Sequence, residues 1–223
     1  MGMSQKHKRV FEELNDLAKP GDILFMTSKE APNTIDALRL VKRMVSGFIP
    51  TDLSLWHTTL YLGPTESGNA EIAEAVTSGV RISHLPSTYY TRGRSLELGR
   101  FIHTSLDDQI REEITVVARE QQGKMFDKRG IKGIPFRRLL GLPNYLSSAD
   151  KFTCQGLPLF VYDQAGVPIP GLVRDGAVDH DLYRSPFLRP LLRVEEERDG
   201  TFKITTNPEK YSWQPELRKI YGL

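Results

Sequence analysis

Apolar residues recur along this chain with two different periods, and the points where the period changes mark out its elements. Over residues 4–18, Val10, Leu14 and Leu17 share one helical stripe, and Pro20-Gly21 stops that helix in a turn. The run "DILFMT" that follows is apolar from Ile23 to Met26 and predicts a strand. Residues 33–46, "NTIDALRLVKRMVS", return to helical spacing. Ile35, Leu38, Val41 and Val45 lie on one face, Asn33 or Thr34 serves as N-cap, and Gly47 closes the element.

The middle of the chain is strand-rich. "HTTLYLG" and "NAEIAEAV" are β-like runs joined by "PTESG", a hairpin connection, and "GVRISHL" and "SLELGRFIH" extend the set. Residues 105–121 predict a helix, with Ser105 as cap, Asp108 three positions on, and Ile110, Ile114 and Val117 on one stripe. From 124 to 147 the pattern is irregular. After Cys154, Leu157, Phe160 and Val161 mark a short buried helix ending at Gly166, and Asp199-Gly200 between β-like arms signals a second hairpin. Helices and strands mix without regular βαβ alternation, so the expected fold class is α+β rather than doubly wound.

Composition narrows the possible functions. A chain of 223 residues suits one substantial core, so a single domain over 1–223 is expected. The 30 Lys and Arg nearly cancel the 28 Asp and Glu, and a net charge of +2 gives no case for nucleic acid as a partner. The one local excess is "KMFDKRGIKGIPFRR", where six basic residues stand against Asp127. It reads either as a solvated basic loop or helix end, or as an anion-binding rim beside an active site. The N-terminal residues lack an apolar signal core and no run approaches the ~18 apolar residues of a membrane span. A cytoplasmic protein without stable membrane insertion is expected. No His or Cys pair has ligand spacing, so neither metal nor cofactor is expected.

The single cysteine, Cys154, excludes an intramolecular disulfide and is either an inert buried thiol or a reactive one. It follows the polar "SSADKFT" and opens the helix after it, where backbone N–H groups favour negative charge. His57 begins a strand whose next residues read as buried, which places its imidazole at an edge of the core. His7 and His180 lie in polar surroundings, His84 ends a strand and His103 precedes a helix, which makes them weaker candidates. In "NAEIAEAV" a period of two puts Glu74 on the face of Ile72 and Val76, and Glu71 on the face of Ala73 and Ala75. An acid among apolar residues needs a partner, and an imidazolium would keep it ionised. Hairpin register decides which glutamate shares the histidine's face, and the loop sequence leaves both open.

Taken in order, "GDILF" at 21–25, "SLWHTTLYLG" at 54–63, "EAVTSGVRISHL" at 74–85 and "FTCQGLPLFVYDQAG" at 152–166 resemble the successive motifs of the circularly permuted NlpC-type cysteine peptidases, the YiiX/YebB-like branch. The resemblance implies a papain-like core in permuted order over residues 20–166, with a central antiparallel sheet and the nucleophile-bearing helix packed against it. Residues 1–19 would form an N-terminal helix and 167–223 a C-terminal extension with a β-hairpin. It also implies roles: Cys154 as nucleophile, His57 as base, and Glu74, in preference to Glu71, as orienting acid. Trp56 before the histidine, Thr58-Thr59 after it, and Pro158 in the first turn of the helix depart from the family pattern.

The function expected from this constellation is hydrolysis of an amide or peptide bond, with a peptide or acyl-bearing small molecule as substrate. Two alternatives stand beside it. One is a thiol-dependent lipid acyltransferase or thioesterase of the lecithin:retinol acyltransferase type, with Phe126, Ile131, Ile134 and Phe136 of the cationic segment meeting the acyl chain. The other is an inactive binding domain on the same fold.

Overall fold

The apolar run after Gly21 becomes the central strand of a seven-stranded antiparallel sheet. In the computed structural model, residues 5–28, 54–91, 93–102, 106–140, 143–177 and 179–208 are described. The helix expected over 33–46 lies outside them. Strands β1 (Ile23–Ser28), β2 (Ser54–Pro64), β3 (Ala70–Val76), β4 (Gly79–His84) and β5 (Arg94–Phe101) are joined by two from the C-terminal part, β8 (Leu188–Glu196) and β9 (Phe202–Thr206). Their order is β4-β3-β2-β1-β5-β8-β9. The fold is therefore α+β.

β1 is apolar from Ile23 to Met26 because both of its faces are covered there. Ile23 and Phe25 enter one core cluster, with Leu60, Leu62, Ala73 and Ala75 of the neighbouring strands. Leu24 and Met26 enter the other, with Tyr61, Ile72, Leu96 and Leu98. Helix α1 (Gln5–Leu17) covers the second face through Val10, Phe11 and Leu14. The first face is covered by α2 (Asp108–Glu120) through Ile114 and Val117, by α4 (Gly156–Gln164) through Leu157 and Val161, and by α5 (Asp179–Arg184) through Leu182 and Tyr183.

Three expectations need correction. The cap of α2 is Asp107, whose carboxylate accepts the Ile110 N–H at 2.9 Å, and the helix starts at Asp108. The irregular segment holds a helix, α3 (Lys128–Leu140), between the short strands β6 (Met125–Phe126) and β7 (Lys151–Phe152). Its only acid, Asp127, is buried as the cap, accepting the Gly130 N–H at 2.7 Å, while Lys128, Arg129 and Lys132 are exposed. Residues 188–206 form the expected hairpin, yet it is no appendage, because β8 pairs with β5 along its length.

The motif "GDILF" has a structural use. Asp22 is fully buried and accepts Arg100 Nε and Nη2 at 2.9 and 2.6 Å and the Lys19 N–H at 2.9 Å. Gly21 turns at φ +93°, and its carbonyl takes the Tyr162 hydroxyl of α4 at 2.6 Å. This locks α4, the helix that follows Cys154, to the start of the central strand.

Candidate active site

A bulge in β2 sets the position of the histidine. Met26 of β1 pairs with His57 and Thr27 with Leu55, which leaves Trp56 as the extra residue. Such an insertion bends the strand and re-aims its side chains. The Trp56 ring stacks on the imidazole at 5.5 Å and 21°, meets Tyr89 edge-on at 5.4 Å, and carries the Arg94 guanidinium 4.9 Å above it. Trp56 thus walls the imidazole itself.

The β2–β3 register answers which glutamate faces His57. Leu60 pairs with Ala73 and Tyr61 with Ile72, a two-residue slide from the register that would set His57 directly opposite Glu74. A slide of two restores every side chain to its original face, so Glu74 and not Glu71 shares the face of His57. Glu74 Oε2 lies 2.8 Å from His57 Nε2 and accepts the Tyr89 hydroxyl at 2.6 Å. Its Oε1 accepts Arg81 through Nε and Nη2, both at 2.8 Å, and the Ser83 hydroxyl at 3.0 Å. Glu71 pairs with Arg119 instead.

Cys154 stands at the mouth of α4, two residues beyond β7. Thr153 caps the turn: its hydroxyl accepts the Gly156 N–H at 3.0 Å and its carbonyl the Leu157 N–H at 3.1 Å. Pro158 falls in the first turn of the helix, where a missing N–H costs little. Two attachments carry Cys154 toward β3. β7 pairs with β6, and β6 is tied to β4 by the Val80 N–H on Lys124 O at 2.8 Å and the Gly123 N–H on Val80 O at 2.9 Å. The Cys154 thiol lies near enough to His57 to raise the pKa of the imidazole.

The electrostatics follow from these contacts. Burial alone would push His57 down, but the hydrogen bonds and charges of Cys154 and Glu74 outweigh it and raise the imidazole from 6.5 to about 9. Burial would likewise push Glu74 up. The His57 and Tyr89 hydrogen bonds, with the charges of His57 and Arg81, hold it down at about 2. Burial and the Glu74 carboxylate push the Tyr89 phenol up, so it stays a donor.

The structure adds a residue that sequence reading missed. The Cys154 sulfur lies 3.1 Å from Gln155 Oε1 and 3.4 Å from Asp179 Oδ1. Asp179 is buried, opens α5, and accepts the Thr58 hydroxyl at 2.7 Å. In sequence it sits in "VDHDLYR", a charge-rich stretch like any solvated turn, and only the apolar Leu182-Tyr183 beside it hints at burial. Of the other histidines, His7 bonds the Tyr90 hydroxyl at 2.9 Å and His84 is exposed at the end of β4. His180 lies in α5, and His103 is outside the described residues.

No protein-family model matches this chain, and no curated protein matches it either. Among the described residues, no group of three or more His, Cys, Asp or Glu is placed to hold a metal ion. None of the described helices is long and apolar enough to cross a membrane.

Proposed function

We propose that the chain is a cysteine hydrolase of the permuted papain-like kind, with Cys154 as nucleophile, His57 as base and Glu74 as orienting acid. The observation that carries the proposal is one imidazole joined through Nε2 to a buried carboxylate at 2.8 Å and coupled electrostatically to the only cysteine of the chain. A histidine held in this way has one tautomer and one orientation, which is what a base acting on a thiol requires.

His57 takes the Cys154 proton, and the sulfur attacks the carbonyl carbon of an amide. Negative charge gathers on the carbonyl oxygen at the positive end of α4, ahead of the Gly156 N–H that Thr153 already occupies. His57 returns the proton to the leaving nitrogen, the C–N bond breaks, and a thioester remains. Water, deprotonated by His57, attacks the thioester, and the carboxylate product leaves as the proton returns to sulfur. Glu74 keeps the imidazolium favourable at each stage, and Trp56 fixes the plane of the ring.

The test pairs labelling with turnover. Iodoacetamide is expected to alkylate Cys154 at neutral pH, and His57→Ala to slow that alkylation at least tenfold. Cys154→Ala is expected to abolish hydrolysis of a peptide-amide library. A wild-type thiol that resists alkylation, or hydrolysis that survives Cys154→Ala, would sink the proposal. A preference for long-chain thioesters over amides would keep the triad and move the substrate to lipid acyl groups.

A further inference from the structure

We infer that Asp179 is a positioning residue of the nucleophile: a buried carboxylate that orients the Cys154 thiol and opposes the transfer of its proton to His57. The inference rests on the cysteine-hydrolase reading and adds a second acid to it. Asp179 Oδ1 is 3.4 Å from the sulfur, and the residue is 1% exposed. An anion held beside sulfur disfavours a second negative charge there.

The carboxylate is fixed in place. Thr58, adjacent to the base in the chain, donates to the same Oδ1 at 2.7 Å. The short helix that carries Asp179 is anchored by Leu182, fully buried, and by the Tyr183 hydroxyl, which donates to Glu97 at 2.6 Å. Glu97 is held in turn by Arg193 Nε of β8 at 2.9 Å. The same segment also sets the other neighbour of the sulfur. Gln155 Nε2 donates to Ala177 O at 3.0 Å, which turns its amide oxygen and not its nitrogen toward the thiol. Residues 177 and 179 therefore help bring two acceptor oxygens, Gln155 Oε1 and Asp179 Oδ1, to the sulfur.

His57 from β2 and Asp179 from α5 are titratable groups that lie near the sulfur. Behind His57 stand Glu74 of β3, Arg81 of β4 and Tyr89. The two carboxylates work in opposite directions. Glu74 favours a protonated imidazole and so draws the proton off sulfur, while Asp179 favours the proton on sulfur. Arg81 partly offsets the charge of Glu74.

Asp179→Asn separates charge from shape, because asparagine keeps an acceptor oxygen for Thr58. The rate of Cys154 alkylation by iodoacetamide, measured on the full chain from acid to alkaline pH, is the readout. Removing the charge is expected to move the midpoint of that profile to lower pH by about one unit or more. Labelling on the acid side would then quicken about tenfold. A solely structural residue would change the unfolding temperature and leave the midpoint in place. Asp179→Ser, smaller and also uncharged, should move the profile in the same direction and serves if the asparagine variant does not fold. A midpoint that stays or rises in these variants overturns the inference while leaving the hydrolase reading intact, provided wild-type labelling depends on His57. A wild-type Cys154 that does not label overturns both.

Discussion

Glu74 is a carboxylate without a spare acceptor position, and its neighbours explain why it tolerates complete burial. Five contacts from four residues converge on its two oxygens, and two of those residues, Arg81 and His57, bring positive charge. Glu74→Gln removes the charge and turns an NH₂ toward one set of donors. The expected result is a His57 that titrates at lower pH and hydrolysis reduced by roughly 10²–10⁴-fold, read from kcat/KM against pH. The same pair sets a stability window. Folding raises His57 from 6.5 to about 9, so its protonated form contributes stability in full below pH 6.5 and loses it as pH rises toward 9. Folding lowers Glu74 from 4.5 to about 2, so its contribution is full above pH 4.5 and is lost as pH falls toward 2. The unfolding temperature of the wild type is expected to be highest between about pH 4.5 and 6.5. In Glu74→Gln the alkaline fall should still begin near pH 6.5 but be smaller and end at lower pH. Glu74 was legible in the sequence because a period of two leaves an acid conspicuous among apolar neighbours. Asp179 was not, because a six-residue helix has too few positions for a pattern to declare which face is buried.

At the scale of elements, the site depends on connections that propensity does not announce. The bulge at Trp56 follows from no turn residue, and the β2–β3 register shifts again between Tyr61 and Gly63. A one-residue slip in this hairpin would have put Glu71 on the face of His57, so the loop sequence left the face open and only the pairing in the fold decides for Glu74. Helix α3 escaped notice because Gly130, Gly133 and Pro135 interrupt it and no apolar stripe runs along it. The tie from β4 to β6 is the most sensitive of these connections. Gly79 turns at φ +122°, and a Cβ there would sit 2.7 Å from the Lys124 carbonyl oxygen. Gly79→Ala is expected to cost about 1–3 kcal/mol in chemical denaturation. Because Lys124 precedes β6, and β6 holds β7, the same substitution should slow Cys154 alkylation. Gly68→Ala, with open space around its Cβ though also at positive φ, should leave that rate unchanged.

Across the whole molecule, the sheet makes the C-terminal portion a structural partner of the motifs upstream. Truncation after residue 166 would strip β8 from β5, remove Leu182, Tyr183 and Leu188 from the core, and expose a long strand edge. Such a chain is expected to show no cooperative thermal transition by near-ultraviolet circular dichroism. Asp22→Asn probes the opposite end of the same scaffold. It leaves Arg100 facing a neutral amide in a buried setting, and a loss of about 3–5 kcal/mol is expected by denaturant titration. The resemblance of four motifs ended at residue 166, so neither the docking of β8 nor the arrival of α5 at the thiol could be read from them; long-range pairing leaves no local mark. The order of assembly carries a consequence for synthesis. A chain made from its N-terminus acquires β1 to β5 long before α5 and β8. The thiol meets Asp179 only when residue 179 is in place, so a growing chain leaves the surroundings of its cysteine unfinished until most of the sheet can close.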